Sequence, residues 1–215
     1  MPSTTRGQRI GIWVIAVVLA IGTVGSFFVI ILANNNATKD QQDQQKLQDV
    51  YNKEYQAYQE KVAAQTVQLS TQYYPILSQY AGQVGSFDAS TVKSVTTADL
   101  KAGDGATIDK NTAYSAYYIG WNPDGKIFDQ SIDNGKLKSP IAGSGLIQGW
   151  TDGVMGMKLG GVRVITIPSS EAYGSKGSGD LIPPNTPIKF VVLAIPTPPT
   201  IPVPNFSGAS SAATQ

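Results

Sequence analysis

Apolar and polar positions follow a different period in successive stretches of the chain. Residues 10–33 concentrate apolar residues in 24 positions without a charge. At about 1.5 Å per helical residue this run would span roughly 36 Å, enough to cross a bilayer with some tilt. It is longer than the usual apolar region of a signal peptide, and Asn34, Asn35 and Asn36 make a poor cleavage site. Arg6 and Arg9 precede it, whereas Lys39 is followed by Asp40 and Asp43. The excess of positive charge on the first flank predicts a single-pass signal anchor over 10–33. Residues 1–9 are then cytoplasmic, and everything after Ala33 is extracytoplasmic.

The next stretch, 34–91, is rich in Gln. Its apolar residues recur at Leu47, Tyr51, Tyr55, Tyr58, Val62, Leu69, Tyr73 and Ile76, the stripe of an amphipathic helix. Gly and Pro are absent from 38–74, which allows the helix to be long, and Pro75 and Gly82 predict its end. The Tyr-rich stripe leaves three readings open: self-association through the 38–74 helix, a helical spacer, or a helix packed on the domain that follows. Gly85, Ser86, Asp88 and Ser90 break the period, so 83–92 reads as a linker closing a helical stalk.

From about Val92 the period changes again. Short β-like runs, among them 113–119, 162–167 and 188–195, alternate with Gly, Asp and Pro turns. A short helix is predicted near 151–157, between Gly149 and the Gly160-Gly161 pair. Residues 92–195 therefore read as one modest α+β domain. Pro196, Pro198, Pro199, Pro202 and Pro204 then open a Ser- and Ala-rich tail, 196–215, that reads as disordered or polyproline-like.

Composition narrows the chemistry. The chain of 215 residues has no His and no Cys. That excludes Ser-His and Cys-His hydrolases, disulfide frameworks and Cys-containing zinc sites. A net charge of +1 argues against a nucleic-acid partner. Gly143-Ser-Gly145 lacks the Lys and the βαβ setting of a phosphate loop. What remains are carboxylates, hydroxyls, amides and an apolar cavity, with neither a metal nor a cofactor expected.

The motifs of 92–195 run in a fixed order. Gly103-Asp-Gly105 comes first, then Tyr118-Ile-Gly and Asp124-Gly-Lys-Ile-Phe-Asp129. Leu146-Ile-Gln-Gly-Trp150, Met157-Lys-Leu-Gly160, Ala172-Tyr-Gly174 and Leu181-Ile-Pro-Pro-Asn185 follow, and Phe190 lies in the last run. In this order and spacing the chain resembles the FKBP-type peptidyl-prolyl cis-trans isomerases over about residues 100–195. The resemblance implies a twisted antiparallel β-sheet wrapped around one short α-helix, with a pocket between them. It also implies an enzyme for X–Pro rotation that needs no His, no thiol and no metal.

Carried over residue by residue, the resemblance makes Trp150 the pocket floor and Tyr118, Phe128 and Phe190 its walls. Asp129 takes the place of a pocket carboxylate, and the Tyr173 hydroxyl that of a donor to a substrate carbonyl. Leu146 lies at the rim. Ile147 lines the pocket and offers its backbone N–H. Leu181 and Ile182 stand where the family has a flap over the pocket. Without the motif register, these aromatics would read as ordinary core, and Gly149, Gly153 and Gly160 as backbone requirements. One departure concerns Leu137-Lys138-Ser139, which replaces an aromatic-x-aromatic pair; Leu137 is then a smaller outer wall for substrate. The expected function is isomerisation of proline bonds in exported or surface chains as they fold. The alternative is a membrane-anchored, non-catalytic chaperone or partner-binding module.

Overall fold

The computed structural model describes residues 37–204, with side chains from residue 44 onward. The run at 10–33 lies outside the described residues, as does the tail beyond Pro204. Among the described residues no helix is long and apolar enough to cross a membrane. The chain falls into two compact units, Met1–Tyr55 with Pro204–Gln215, and Gln56–Val203.

Helix α1 spans Ala37–Leu77. It is long because nothing in it breaks the hydrogen-bond ladder before Pro75, and a proline costs least when so little helix remains to be disrupted. The Gln79 side-chain amide donates to the Pro75 carbonyl at 2.6 Å, and the chain tightens into a 3-10 turn at Ser78–Gln83. In the first unit the Tyr51 and Tyr55 rings of α1 stack, with centroids 6.0 Å apart.

The rest of α1 belongs to the second unit, together with the sheet. The strands are β1 (Thr96–Lys101), β2 (Tyr114–Trp121), β3 (Ile127–Gln130), β4 (Ile132–Asp133), β5 (Lys136–Leu137), β6 (Ile141–Ala142), β7 (Val162–Ile167) and β8 (Ile188–Pro196); a short helix, α2 (Gln148–Val154), precedes β7. All pairings are antiparallel. The main sheet has the order β1-β7-β8-β2-β3, with β6 also on β2, and β4 and β5 form a separate hairpin. The longest ladder joins β2 to β8, from Tyr114 opposite Pro196 to Trp121 opposite Lys189.

Strands β2 and β8 are apolar at almost every position because both of their faces are covered. A sheet with one wet face would alternate apolar with polar residues. Here Tyr114, Ala116, Phe190, Val192 and Ala194 enter one cluster, which also holds Trp150 and Val154 of α2. Tyr117, Ile119, Trp121, Val191, Leu193 and Ile195 enter a second cluster, closed by Leu77 with Leu69, Tyr73, Tyr74, Ile76 and Tyr80 packed against it. Leu77 is fully buried.

Of the three readings of the Gln-rich segment, the structure selects a helix packed on the following domain for residues 56–77. The stretch 83–92 is not a free linker either. The Trp121 indole donates to the Gly85 carbonyl at 3.0 Å, and the Phe87 N–H donates to the Pro123 carbonyl at 3.0 Å. The described start of the tail is likewise held to the domain, since the Gln65 side-chain amide donates to the Pro199 carbonyl at 2.8 Å. Periodicity showed that these segments were helical, irregular or proline-rich. It contained no information on what they would pack against.

Candidate active site

Helix α2 sets the floor. It has seven residues, and its Gly149 and Gly153 lie against Ile167 and Ile165 of β7. A Cβ on Gly149 would lie 2.2 Å from Ile167 Cγ2, and one on Gly153 would lie 2.4 Å from Ile165 Cγ2. These glycines serve close approach and not an unusual backbone angle. Trp150 sits between them in sequence and is 2% exposed. Its indole N–H donates to the Tyr114 hydroxyl at 3.2 Å. The C-terminal end of α2 is fixed by Arg163 of β7, whose guanidinium donates to the Gly153 and Met155 carbonyls at 3.0 Å each. Arg163 also pairs with Asp99, and this holds the Asp99 carboxyl below its usual range.

On this floor four aromatic rings meet edge to face. Phe190 of β8 is at the centre, 5.0 Å from Trp150, 5.5 Å from Phe128 and 5.9 Å from Tyr118 between centroids. Tyr118 meets Trp150 at 5.6 Å with the planes perpendicular. Such T-shaped pairs place the positive edge of one ring on the negative face of another. Gly120 allows this approach, because a Cβ there would lie 2.6 Å from the Phe190 ring and 2.7 Å from that of Phe128.

Polar groups line the box on one side. The Tyr118 hydroxyl donates to Asp129 Oδ2, and the Gln130 N–H donates to Asp129 Oδ1 at 2.8 Å. Burial and then the bonded Asp129 carboxylate push the Tyr118 hydroxyl pKa up, so it remains a donor at neutral pH. The Tyr173 pKa is raised by burial and then by the Asp129 charge. Among the described residues, no protein acceptor takes the Tyr173 O–H or the Ile147 N–H. Ile147 is the N-cap of α2 and has extended backbone angles. The site thus combines an apolar aromatic box with two uncommitted donors, suited to holding a compact apolar ring flanked by carbonyl groups.

The residues singled out in the sequence do not all fall together. Tyr118, Phe128, Leu146, Ile147 and Tyr173 are half-buried against the cluster that contains Trp150, Phe190 and Ile182. Asp129 is exposed at the edge of β3. Ile182 is 3% exposed, so it is part of the core as well as of the loop. Leu181 is half-buried, and its carbonyl accepts from the Asn122 side-chain amide at 2.9 Å. The Ile182 carbonyl accepts from the Ser178 N–H at 2.7 Å.

Leu137 requires a correction. It was expected as an outer wall for substrate, but it is 3% exposed and belongs to the cluster on the opposite face of the sheet, with Leu77 and Trp121. Its N–H donates to Ser70 Oγ at 2.8 Å. The Ser139 hydroxyl bonds that of Thr66 at 3.0 Å. The segment that departs from the family pattern therefore faces α1.

Sequence reasoning missed Tyr114, Asn122, Ser131 and Arg163. Asn122 precedes Pro123-Asp124-Gly125, a turn signal, and its side-chain oxygen accepts from the Asp124 and Lys126 N–H groups at 3.1 and 2.9 Å. Arg163 is the lone charge in the apolar run of β7, a signal that could have found it. Tyr114 and Ser131 carried no signal of their own.

The region that carries this site is similar to known proteins. The family model of the FKBP-type peptidyl-prolyl cis-trans isomerase matches residues 100–194. An FK506-binding protein of Neisseria meningitidis serogroup A is 40% identical over 95 residues, which cover 44% of this chain and 87% of that protein. FK506-binding protein 4 of Rhizopus delemar is 41% identical over 95 residues, 44% of this chain and 25% of its own length. A peptidyl-prolyl cis-trans isomerase of Pseudomonas syringae pv. tomato, of known crystal structure, is 32% identical; the match covers 54% of this chain and 86% of that one, with a TM-score of 0.41.

Proposed function

This chain belongs to the FKBP-type peptidyl-prolyl cis-trans isomerase family, and from that membership we propose that it is a membrane-anchored isomerase acting on exported or surface proteins as they fold. The aromatic box carries the catalytic half of this reading. An X–Pro bond rotates over a barrier of about 18–20 kcal/mol set by amide resonance, so uncatalysed exchange takes tens to hundreds of seconds. Rotation makes and breaks no covalent bond, and no nucleophile is needed. The catalyst must instead favour the twisted amide, which has lost its conjugation.

Trp150, Phe190, Tyr118 and Phe128 offer the proline ring a dry, tightly packed setting. Water that would stabilise the charge-separated planar amide is displaced. The Tyr173 hydroxyl and the Ile147 N–H are placed to hold substrate carbonyls, which fixes one side of the bond while the other turns. Tyr118 and Asp129 hold each other, so the wall keeps its shape as the substrate rotates. The anchored part of the reading rests on the uncharged run 10–33 and its charged flanks. A tethered isomerase meets unfolded chains close to where they emerge.

Exchange of an X–Pro peptide by the full chain in detergent tests the activity. Tyr173→Phe is expected to keep the fold and lower kcat/KM about threefold to tenfold, as loss of one hydrogen bond of about 1 kcal/mol predicts. No acceleration by the wild-type chain would end the catalytic reading. Topology is tested separately, since the chain has no Cys to interfere. In intact cells a membrane-impermeant maleimide should label Ser210→Cys and spare Ser3→Cys; labelling of Ser3→Cys would overturn the orientation.

A further inference from the structure

The pocket wall formed by Tyr118 and Asp129 is connected to helix α1 by hydrogen bonds and the short stretches of backbone between them. Residues β4 and β5 make a hairpin in which Ile132 pairs with Leu137 and Asp133 with Lys136. Its turn is Asn134-Gly135, with φ of +46° and +74°, a two-residue connection that suits paired strands. Two-residue strands cannot hold themselves together in water. This hairpin depends on what is attached to either end.

At the sheet end the attachment is Ser131. Its Oγ accepts from the Tyr118 N–H at 2.9 Å. Its own N–H donates to the Tyr118 carbonyl at 2.8 Å, and its carbonyl accepts from the Lys138 N–H at 2.9 Å. Lys138 Nζ reaches the Gln130 carbonyl at 3.0 Å, one residue from Asp129. At the helix end the attachment is Ser70, whose Oγ accepts from the Leu137 N–H at 2.8 Å in a buried setting. Ser70 is 8% exposed, Leu137 3% and Ser131 4%. Water does not compete for the Ser70–Leu137 bond, so losing it leaves a buried N–H unpaired.

We propose that Ser70 of α1 is a positioning residue for the isomerase site: by holding the Leu137 N–H it fixes the β4–β5 hairpin, and through Ser131 it sets the backbone of Tyr118 and thereby the Tyr118–Asp129 pair. The inference rests on the isomerase reading of that pair. It gives the helix preceding the catalytic domain a part in the shape of the pocket. Without Ser70 the hairpin keeps its turn but loses its fixed end. Displacements of ångström size in a positioned wall cost far more rate than stability.

The test uses the full chain and three variants. Ser70→Ala removes the acceptor, and Ser70→Thr retains it. Leu69→Ala disturbs the same helix–sheet packing without touching the hairpin bond. Ser70→Ala should lower kcat/KM roughly tenfold at a temperature where the chain is fully folded. Ser70→Thr should restore most of that loss, and Leu69→Ala should lower Tm with kcat/KM within a factor of two of wild type. Equal kcat/KM for Ser70→Ala and wild type would overturn the proposal, as would an equal loss in Leu69→Ala. An inactive wild-type chain would instead indict the isomerase reading itself.

If Ser70→Ala fails to fold, amide exchange on the wild-type chain decides. The Leu137, Lys138 and Tyr118 amides should open together. A Leu137 amide that exchanges at least a hundredfold faster than that of Tyr118 would show that the helix contact and the pocket wall move independently, and would sink the proposal.

Discussion

The two faces of the β2–β8 sheet are built from the same kinds of residue and end in different states. On the α2 face, Tyr118, Phe128, Leu146, Ile147 and Tyr173 stay half-exposed around buried Trp150 and Phe190. On the α1 face, Tyr117, Ile119, Trp121, Leu193 and Ile195 are sealed under the helix. A short helix with Gly149 and Gly153 comes close to the sheet at one end and leaves aromatic edges uncovered. A long helix with Leu69, Tyr73, Ile76 and Leu77, continued by Tyr80, Val84 and Phe87, buries the β2 and β8 residues of the other face. The proposed site therefore lies where coverage is partial and donors remain uncommitted. The fully covered face stabilises the fold that the other face needs.

The largest break in this comparison comes from removing residues 1–84. The fragment would keep all the pocket residues, yet it would expose the apolar face now covered by Leu77, Tyr73 and Tyr80. A patch of that kind favours association. Expression should give aggregated protein, measured by light scattering and sedimentation; a monomeric, active fragment would show that the α1 face is dispensable.

Single truncations separate the faces next. Leu77→Ala should cost about 2–5 kcal/mol of stability, read by urea unfolding of the full chain, with kcat/KM of the folded protein unchanged. Phe128→Ala should do the reverse and lower kcat/KM about tenfold or more, an effect of at least about 1.4 kcal/mol on the transition state. Equal effects of the two variants on kcat/KM would erase the distinction between a structural and a functional face.

The smallest effect concerns Tyr117. Its buried hydroxyl has no hydrogen-bond partner among the described residues. Burial, with the nearby Tyr73, pushes its pKa up to about 12. Because the folded pKa lies above the unfolded value of about 10, the contribution is present below pH 10 and is lost as the pH rises towards 12. Tyr117→Phe should raise stability by about 0.5–1.5 kcal/mol at pH 7 and flatten the decline between pH 10 and 12. Thermal unfolding across that range checks both, and a destabilised Tyr117→Phe would mean that the hydroxyl is satisfied after all.

Several features were legible in the residues themselves. Tyr118, Phe128, Asp129, Trp150, Tyr173 and Phe190 were legible as a candidate pocket only through the resemblance to the FKBP-type isomerases; taken singly, the aromatics among them read as core. The long α1 was legible from its period and from the absence of Gly and Pro. The role of Leu137 was not. A leucine between two lysines gives no sign of the helix more than sixty residues earlier that buries it. Asn134-Gly135 carried a hairpin signal that the shortness of its strands concealed.

The sequence by itself determined the long helix, the main strand runs and the exclusion of His- and thiol-based chemistry, because these depend on residue type and local spacing. The reaction class came from the family resemblance, and the short helix fell at Gln148–Val154, earlier than the expected 151–157. Tertiary structure alone decided that β2 and β8 are covered on both faces, that residues 56–91 belong to the catalytic unit, and that Leu137 and Ser139 turn to α1 and away from the pocket. Those outcomes depend on which distant surfaces meet. Burial can leave a period, as in the stripe of α1, but the period does not say which remote surface covers it, since an apolar residue looks the same whatever that surface is.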